Sequence, residues 1–106
     1  MVKLTLISWR DIPAQVIGQR GRQREKRMLS HRFQEAIDRA AMRAGKGSSD
    51  AYIEEWRRER SSLDTDADLG DIVAAEIERL ESEYSDARLA QMIRNHGTNE
   101  SQQVEQ

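Results

Sequence analysis

The sequence predicts an α+β fold: a small N-terminal antiparallel sheet of two or three strands packed against a helix, with additional C-terminal helices. Three observations carry this. Val2, Leu4 and Leu6 alternate with Lys3 and Thr5, the period-two pattern of a half-buried strand. Phe33, Ile37, Ala40, Ala41 and Ala44 recur at helical spacing. Leu69, Ile72, Val73, Ile77, Leu80 and Tyr84 form a second helical stripe further on.

The first strand covers residues 2–9. Ile7 breaks its alternation, which requires either partial cover on both faces or a bulge near Ser8-Trp9. Asp11-Ile12-Pro13 is a turn signal, because proline fixes its own φ and pushes Ile12 into an extended conformation. Ala14 to Gly18 reads as a short second strand, antiparallel to the first. Gly18 and Gly21 bracket Gln19-Arg20, which suggests a hairpin with positive φ at one glycine. Residues 22–29 are ambiguous. Arg20, Arg22, Arg24 and Lys26 fall at every second position, so a strand would line four cations on one face and lie at a sheet edge, kept soluble by its charge. The flanking glycines and the cap that follows favour strand over helix.

Ser30 caps a helix over residues 30–44, closed by Gly45 after Arg43. Ser48 or Ser49 caps a second helix with Asp50 at its positive end. Tyr52, Ile53 and Trp56 are its apolar stripe. It is expected to run from residue 49 to about residue 60, with Arg57, Arg58 and Arg60 near its C-terminal end, where the dipole favours cations. Residues 61–68 read as an acidic linker with a short extended piece around Leu63. Helices over residues 69–84 and 86–95 follow, the second capped by Ser85 and ended by Gly97. The predicted core comprises Leu4, Leu6, Val16, Ile17, Phe33, Ile37, Ala41, Ile53, Trp56, Ile72, Ile77 and Leu80. One domain is expected over residues 1–97, and a disordered tail over residues 98–106.

The 106 residues suit one domain with a modest core. Charged residues make up 34% of the chain and mean hydropathy is −0.86, polar for a globular domain. The chain has no cysteine, which removes disulfides, thiolate catalysis and cysteine-ligated metal centres. No apolar run approaches the roughly 18 residues that span a bilayer, and no secretory leader is legible. The expectation is a cytoplasmic protein with no membrane contact. The net charge of −2 hides an asymmetry. Residues 1–60 carry 14 Lys and Arg against 8 Asp and Glu, while residues 61–106 carry 3 against 11. Opposite-signed halves can attract each other or serve different partners.

Chemistry concentrates in two places. The basic run holds Arg20, Arg22, Arg24, Lys26 and Arg27 against one Glu25, and Arg10 precedes it. These six cations are the candidate anion- or partner-binding residues: a phosphorylated ligand or an acidic protein surface on one reading, a solvated edge strand on the other. Gly18-x-x-Gly21 lacks the helix–loop–helix setting of a nucleic-acid clamp, no aromatic ring accompanies it, and net charge is negative. These features argue against nucleic acid. The second place is aromatic and acidic: Trp9, Asp11, Tyr52 and Trp56 are candidate partner-binding residues, although Trp9 as core and Asp11 as a turn cap explain the same pattern.

His31 and His96 lie far apart with no carboxylate or histidine spacing beside them, so no metal site is expected. The Asp64-Asp66-Asp68 run lacks the glycine and closing glutamate of a calcium loop. Neither catalytic residues nor cofactors are assigned.

Four blocks together resemble a known family: W-R-D-I-P-A-Q-V (9–16), the basic stretch to Lys26-Arg27, R-F-Q-E-A-I-D-R-A-A-M-R-A (32–44) and D-A-Y-I-E-E-W (50–56). They are similar to the small bacterial "virulence factor" domain family, over about residues 4–95. The resemblance implies an accessory or assembly role. Stand-alone members are associated with folate- and corrinoid-dependent methyl transfer. It implies no catalytic residue. The expected function is therefore a non-enzymatic accessory protein that binds a protein partner through a charged surface. The alternative is a binder of an anionic small ligand (a folate, corrinoid or nucleotide) through the 20–27 stretch.

Overall fold

The computed structural model describes residues 1–99. Four antiparallel strands form one sheet in the order β3-β2-β1-β4. They are β1 (Val2–Trp9), β2 (Ile12–Arg20), β3 (Gln23–Met28) and β4 (Trp56–Leu63). Four helices accompany them: α1 (His31–Arg43), α2 (Ser49–Glu54), α3 (Leu69–Glu83) and α4 (Asp86–Arg94). The α+β class, the N-terminal sheet and the C-terminal helices are as the sequence predicts. The fourth strand is not.

Residues 56–63 are a strand, not the second half of a helix, and they take in the start of the expected acidic linker. The helix there stops after six residues, at Glu54. The reason is tertiary. β1 has a free edge of eight residues, and β4 pairs with all of it, from Val2 opposite Leu63 to Trp9 opposite Trp56. That satisfies a row of backbone donors and acceptors. As an edge strand β4 needs no apolar alternation, and its charges discourage further pairing. The shortened helix also corrects one predicted core residue. Tyr52 is directed at Trp9, and the neighbouring Ile53 is 63% exposed.

β1 spans the predicted residues. The break at Ile7 is a bulge: Ile7 pairs with Gln15 but Ser8 pairs with Pro13, so Ala14 drops out of that ladder. Pro13 sits inside β2 beside this irregularity, where a missing N–H is tolerated. β2 is therefore longer than the predicted 14–18. Its hairpin to β3 turns at Gly21-Arg22, with φ +58° at Gly21. Gly18 lies within the strand instead. A β-carbon there would stand 2.6 Å from Val73 Cγ2 and 3.0 Å from Leu69 Cδ1. The glycine lets α3 approach the sheet.

α3 lies against β2 and β3, α1 against β2, and α4 against α1, so the helices cover one face. The core between them holds Ile12, Val16, Phe33, Ile37, Val73, Leu80, Leu89 and Met92. Leu4, Leu6, Trp56 and Ile77 pack at its margin, half-buried. Ser30 does not cap α1 through its side chain. Its N–H and hydroxyl both donate to the Glu81 carboxylate on α3, at 2.6 and 2.9 Å. Arg32 donates to the backbone oxygens of Glu81 and Tyr84, at 2.7 and 2.6 Å, and so closes the C-terminal end of α3. Asp68 and Ser85 cap α3 and α4. Thr98 and Asn99, at the start of the predicted tail, are hydrogen-bonded. Residues 100–106 of that expectation lie outside the described residues. Among the described residues no helix is long and apolar enough to cross a membrane.

Candidate functional site: a cationic sheet face

The pleat assigns alternate residues to opposite faces. Gly18 meets α3, so its pairing partners share the helix side, and the intervening positions make up the other face. Three rows cross that second face. The first runs Arg58, Ile7, Gln15, Met28. The second runs Arg60, Thr5, Ile17, Lys26. The third runs Ser62, Lys3, Gln19, Arg24. Among the described residues no helix packs across them: Lys3, Gln19, Arg24, Lys26, Arg58, Arg60 and Ser62 are all exposed.

Five of these twelve positions are cationic and none is acidic. Among the described residues, Lys3, Arg24, Lys26, Arg58 and Arg60 enter no ion pair and no side-chain hydrogen bond. The edge strands do carry carboxylates, one each, but Glu25 pairs opposite Gly18 and Glu59 opposite Leu6. Both therefore fall on the helix side. At the centre of the bare face are Ile7, half-buried, and Ile17, 8% exposed. A shallow depression of about 410 Å³ is bounded by Lys3, Thr5, Ile17, Gln19 and Arg60.

The structure divides the sequence-predicted cations. Arg24 and Lys26 belong to the bare face. Arg22 lies in the exposed β2–β3 turn and Arg27 on the helix side of β3. Arg20 ends β2 with its guanidinium on the backbone oxygens of Thr65 and Ala67, at 2.9 and 2.7 Å. The four-cation strand face inferred from residues 20–26 is therefore not formed, because β3 begins only at Gln23. Lys3, Arg58 and Arg60 complete the face. Sequence reasoning missed the two arginines because it placed them on a helix.

The remaining candidates meet at one end of the sheet. Trp9 is fully buried, stacked on Tyr52 at 5.9 Å between centroids, and its indole N–H donates to Tyr52 O at 2.8 Å. Trp56 meets Tyr52 edge-on. Arg10, at φ +52°, donates to Glu55 Oε1 at 3.1 Å and to His96 O at 2.9 Å. Its hydrogen bond and charge, with help from Lys46, hold the Glu55 carboxyl below its usual range. Asp11 accepts from Arg57 at 3.3 Å and from Asn99 N–H at 2.9 Å. The Trp9-Arg10-Asp11 triplet thus ties the β1–β2 turn to the α2–β4 junction and to the chain after α4. A cleft of about 370 Å³ beside it is lined by Ser8, Asp11, Arg57, Arg58, Glu59 and Tyr84. Burial holds the Tyr84 hydroxyl above its usual range.

The family model described as "Virulence factor" matches residues 7–93. The chain belongs to the virulence factor family. The match spans the Trp9-Arg10-Asp11 corner, all of β2, β3 and β4, and four of the five cations of the bare face. Lys3 alone precedes it. No curated protein and no solved structure matches the chain.

Proposed function

We propose that this virulence factor domain is a non-catalytic accessory protein whose bare sheet face holds an acidic surface of a partner protein. One observation carries the reading: the pleat gathers five unpaired cations and no carboxylate on one face, while both edge-strand carboxylates fall on the other, beside Arg27 and Arg57. Edge protection alone does not account for this. It calls for charge of either sign on edge strands, whereas Lys3 lies on the inner strand β1. A one-signed surface steers and orients an oppositely charged partner. The absence of an aromatic ring from the face removes the stacking platform that single-stranded nucleic acid uses. The family resemblance directs the search for the partner to proteins of folate- and corrinoid-dependent methyl transfer.

The test is capture from nuclease-treated extract of the native host, with tagged wild-type chain and a Lys26→Glu/Arg60→Glu variant, at low and high salt. The expected result is an acidic protein retained by the wild type at low salt and lost both in high salt and in the variant. Equal retention by the two chains overturns the reading. A second reading, an anionic small ligand, rests on the depression beside Lys3 and Arg60. It predicts a salt-sensitive rise in unfolding temperature with millimolar folate, corrinoid or nucleotide.

A further inference from the structure

We infer that the partner element seated on the bare face is an amphipathic helix, laid along β1 and β2, with carboxylates on both flanks of an apolar stripe. This rests on the proposed function and adds the shape of what the face holds.

The arrangement of the rows carries it. Four of the five cations form two columns along the outer strands, Arg58 and Arg60 on β4 and Arg24 and Lys26 on β3, and Lys3 lies between them on β1. Three strand spacings separate the columns, about 14 Å. The inner strands between them carry Ile7, half-buried, Thr5 and Ile17, 8% exposed, together with Gln15, Gln19 and Lys3. An α-helix with its side chains is about 10–12 Å across, so it fits between the columns with its flanks beside the cations. The rows run from Ile7 to Lys3 along β1, about 14 Å, which matches about ten helical residues. A lone extended peptide is about one strand wide and cannot reach both columns.

Other occupants fit less well. A second copy docked face to face would oppose five cations with five. A second copy docked through α3 would offer few free carboxylates. Glu76 and Glu83 are paired with Arg79, and Glu81 is held by Ser30 and Arg32.

The test uses the whole chain, labelled for NMR, and three synthetic peptides of about 18 residues, long enough to hold a helix. The first has Leu at helical spacing with Glu on both flanks. The second has the same composition, scrambled to break the period. The third replaces Glu with Lys. A twelve-nucleotide oligouridine is the fourth probe. The expected result is binding of the first peptide with shifts at Thr5, Ile7, Ile17, Lys26 and Arg60. The scrambled peptide and the Lys26→Glu/Arg60→Glu variant should each weaken binding by about tenfold or more, and the Lys peptide should not bind. Equal binding of the scrambled peptide overturns the helix but leaves the acidic-partner reading intact. No binding of either acidic peptide also overturns the helix, and the capture experiment then judges the broader reading separately. Tighter binding of the oligouridine overturns both.

Discussion

At the Trp9 corner, Arg10 donates to a carboxylate and a backbone oxygen, lies over an indole ring at 5.2 Å, and adopts a backbone conformation uncommon for arginine. About 17 Å away along the sheet, by strand rise, Arg60 is exposed and, among the described residues, has no ion-pair or hydrogen-bond partner. One residue type thus does opposite jobs in one small protein. The corner uses charge to join three segments distant in sequence, and its groups are saturated. The face holds its charges unsatisfied, which adds nothing to stability and leaves them free for an outside group. Substitution should therefore break the fold at the corner and the binding at the face.

The largest effect is expected at Trp9. Trp9→Ala removes a fully buried ring, its stack on Tyr52 and its hydrogen bond, and should destabilise by about 3–5 kcal/mol in urea denaturation. A loss under about 1 kcal/mol would mean that the corner is not the junction described. Gly97→Ala follows. Gly97 sits at φ +91°, and a β-carbon there would lie 2.9 Å from Trp9 Cζ3. Strain and contact act together, for an expected cost of about 1–3 kcal/mol in the same measurement.

Glu81 tests the junction of α1 with α3, and its signature is pH. Burial raises its carboxyl pKa, but the Ser30 backbone N–H, the Ser30 hydroxyl and Arg32 outweigh burial and hold it below the usual range. A carboxyl lowered on folding contributes stability above its unfolded pKa, about 4.3, and loses that contribution as pH falls through the lower folded value. Glu81→Gln should cost about 1–2 kcal/mol at pH 7. The gap between wild type and variant should close below the usual carboxylate range. A gap that stays constant down to pH 2 would contradict the assignment.

How far the sequence revealed all this depended on where the information lay. The strand at 2–9, the helices α1, α3 and α4, and the edge placement of 23–28 followed from local periodicity, with the Ser85 cap marking the start of α4. β4 did not, because W-R-R-E-R-S-S-L has no period of its own. Its conformation comes from the free edge of β1, fifty residues earlier. The basic run looked like one feature and is four: Arg20 is a clasp, Arg22 a turn, Arg24 with Lys26 part of the face, and Arg27 on the helix side. Only the register distinguishes them. Arg20→Ala should cost about 1–2 kcal/mol by leaving Thr65 O and Ala67 O without their donor. Arg24→Ala, two residues beyond the turn, should stay within about 0.5 kcal/mol.

The smallest effect on stability belongs to the face itself. Arg58 and Arg60 are two positions apart on one strand, as are Arg24 and Lys26, so each pair of backbone positions is about 7 Å apart. That is within the Debye length of about 10 Å at 0.1 M salt, whereas the two columns, about 14 Å apart, lie beyond it. Repulsion therefore acts within each column rather than between them. Lys26→Glu/Arg60→Glu turns each like-charge pair into an opposite one. The variant should unfold no earlier than wild type, and up to about 0.5 kcal/mol later at low salt, with the difference fading as salt is added. A clear loss of stability would place these side chains among the groups that hold the fold. Unchanged or raised stability, with the partner lost, would separate the face from the corner in a single protein.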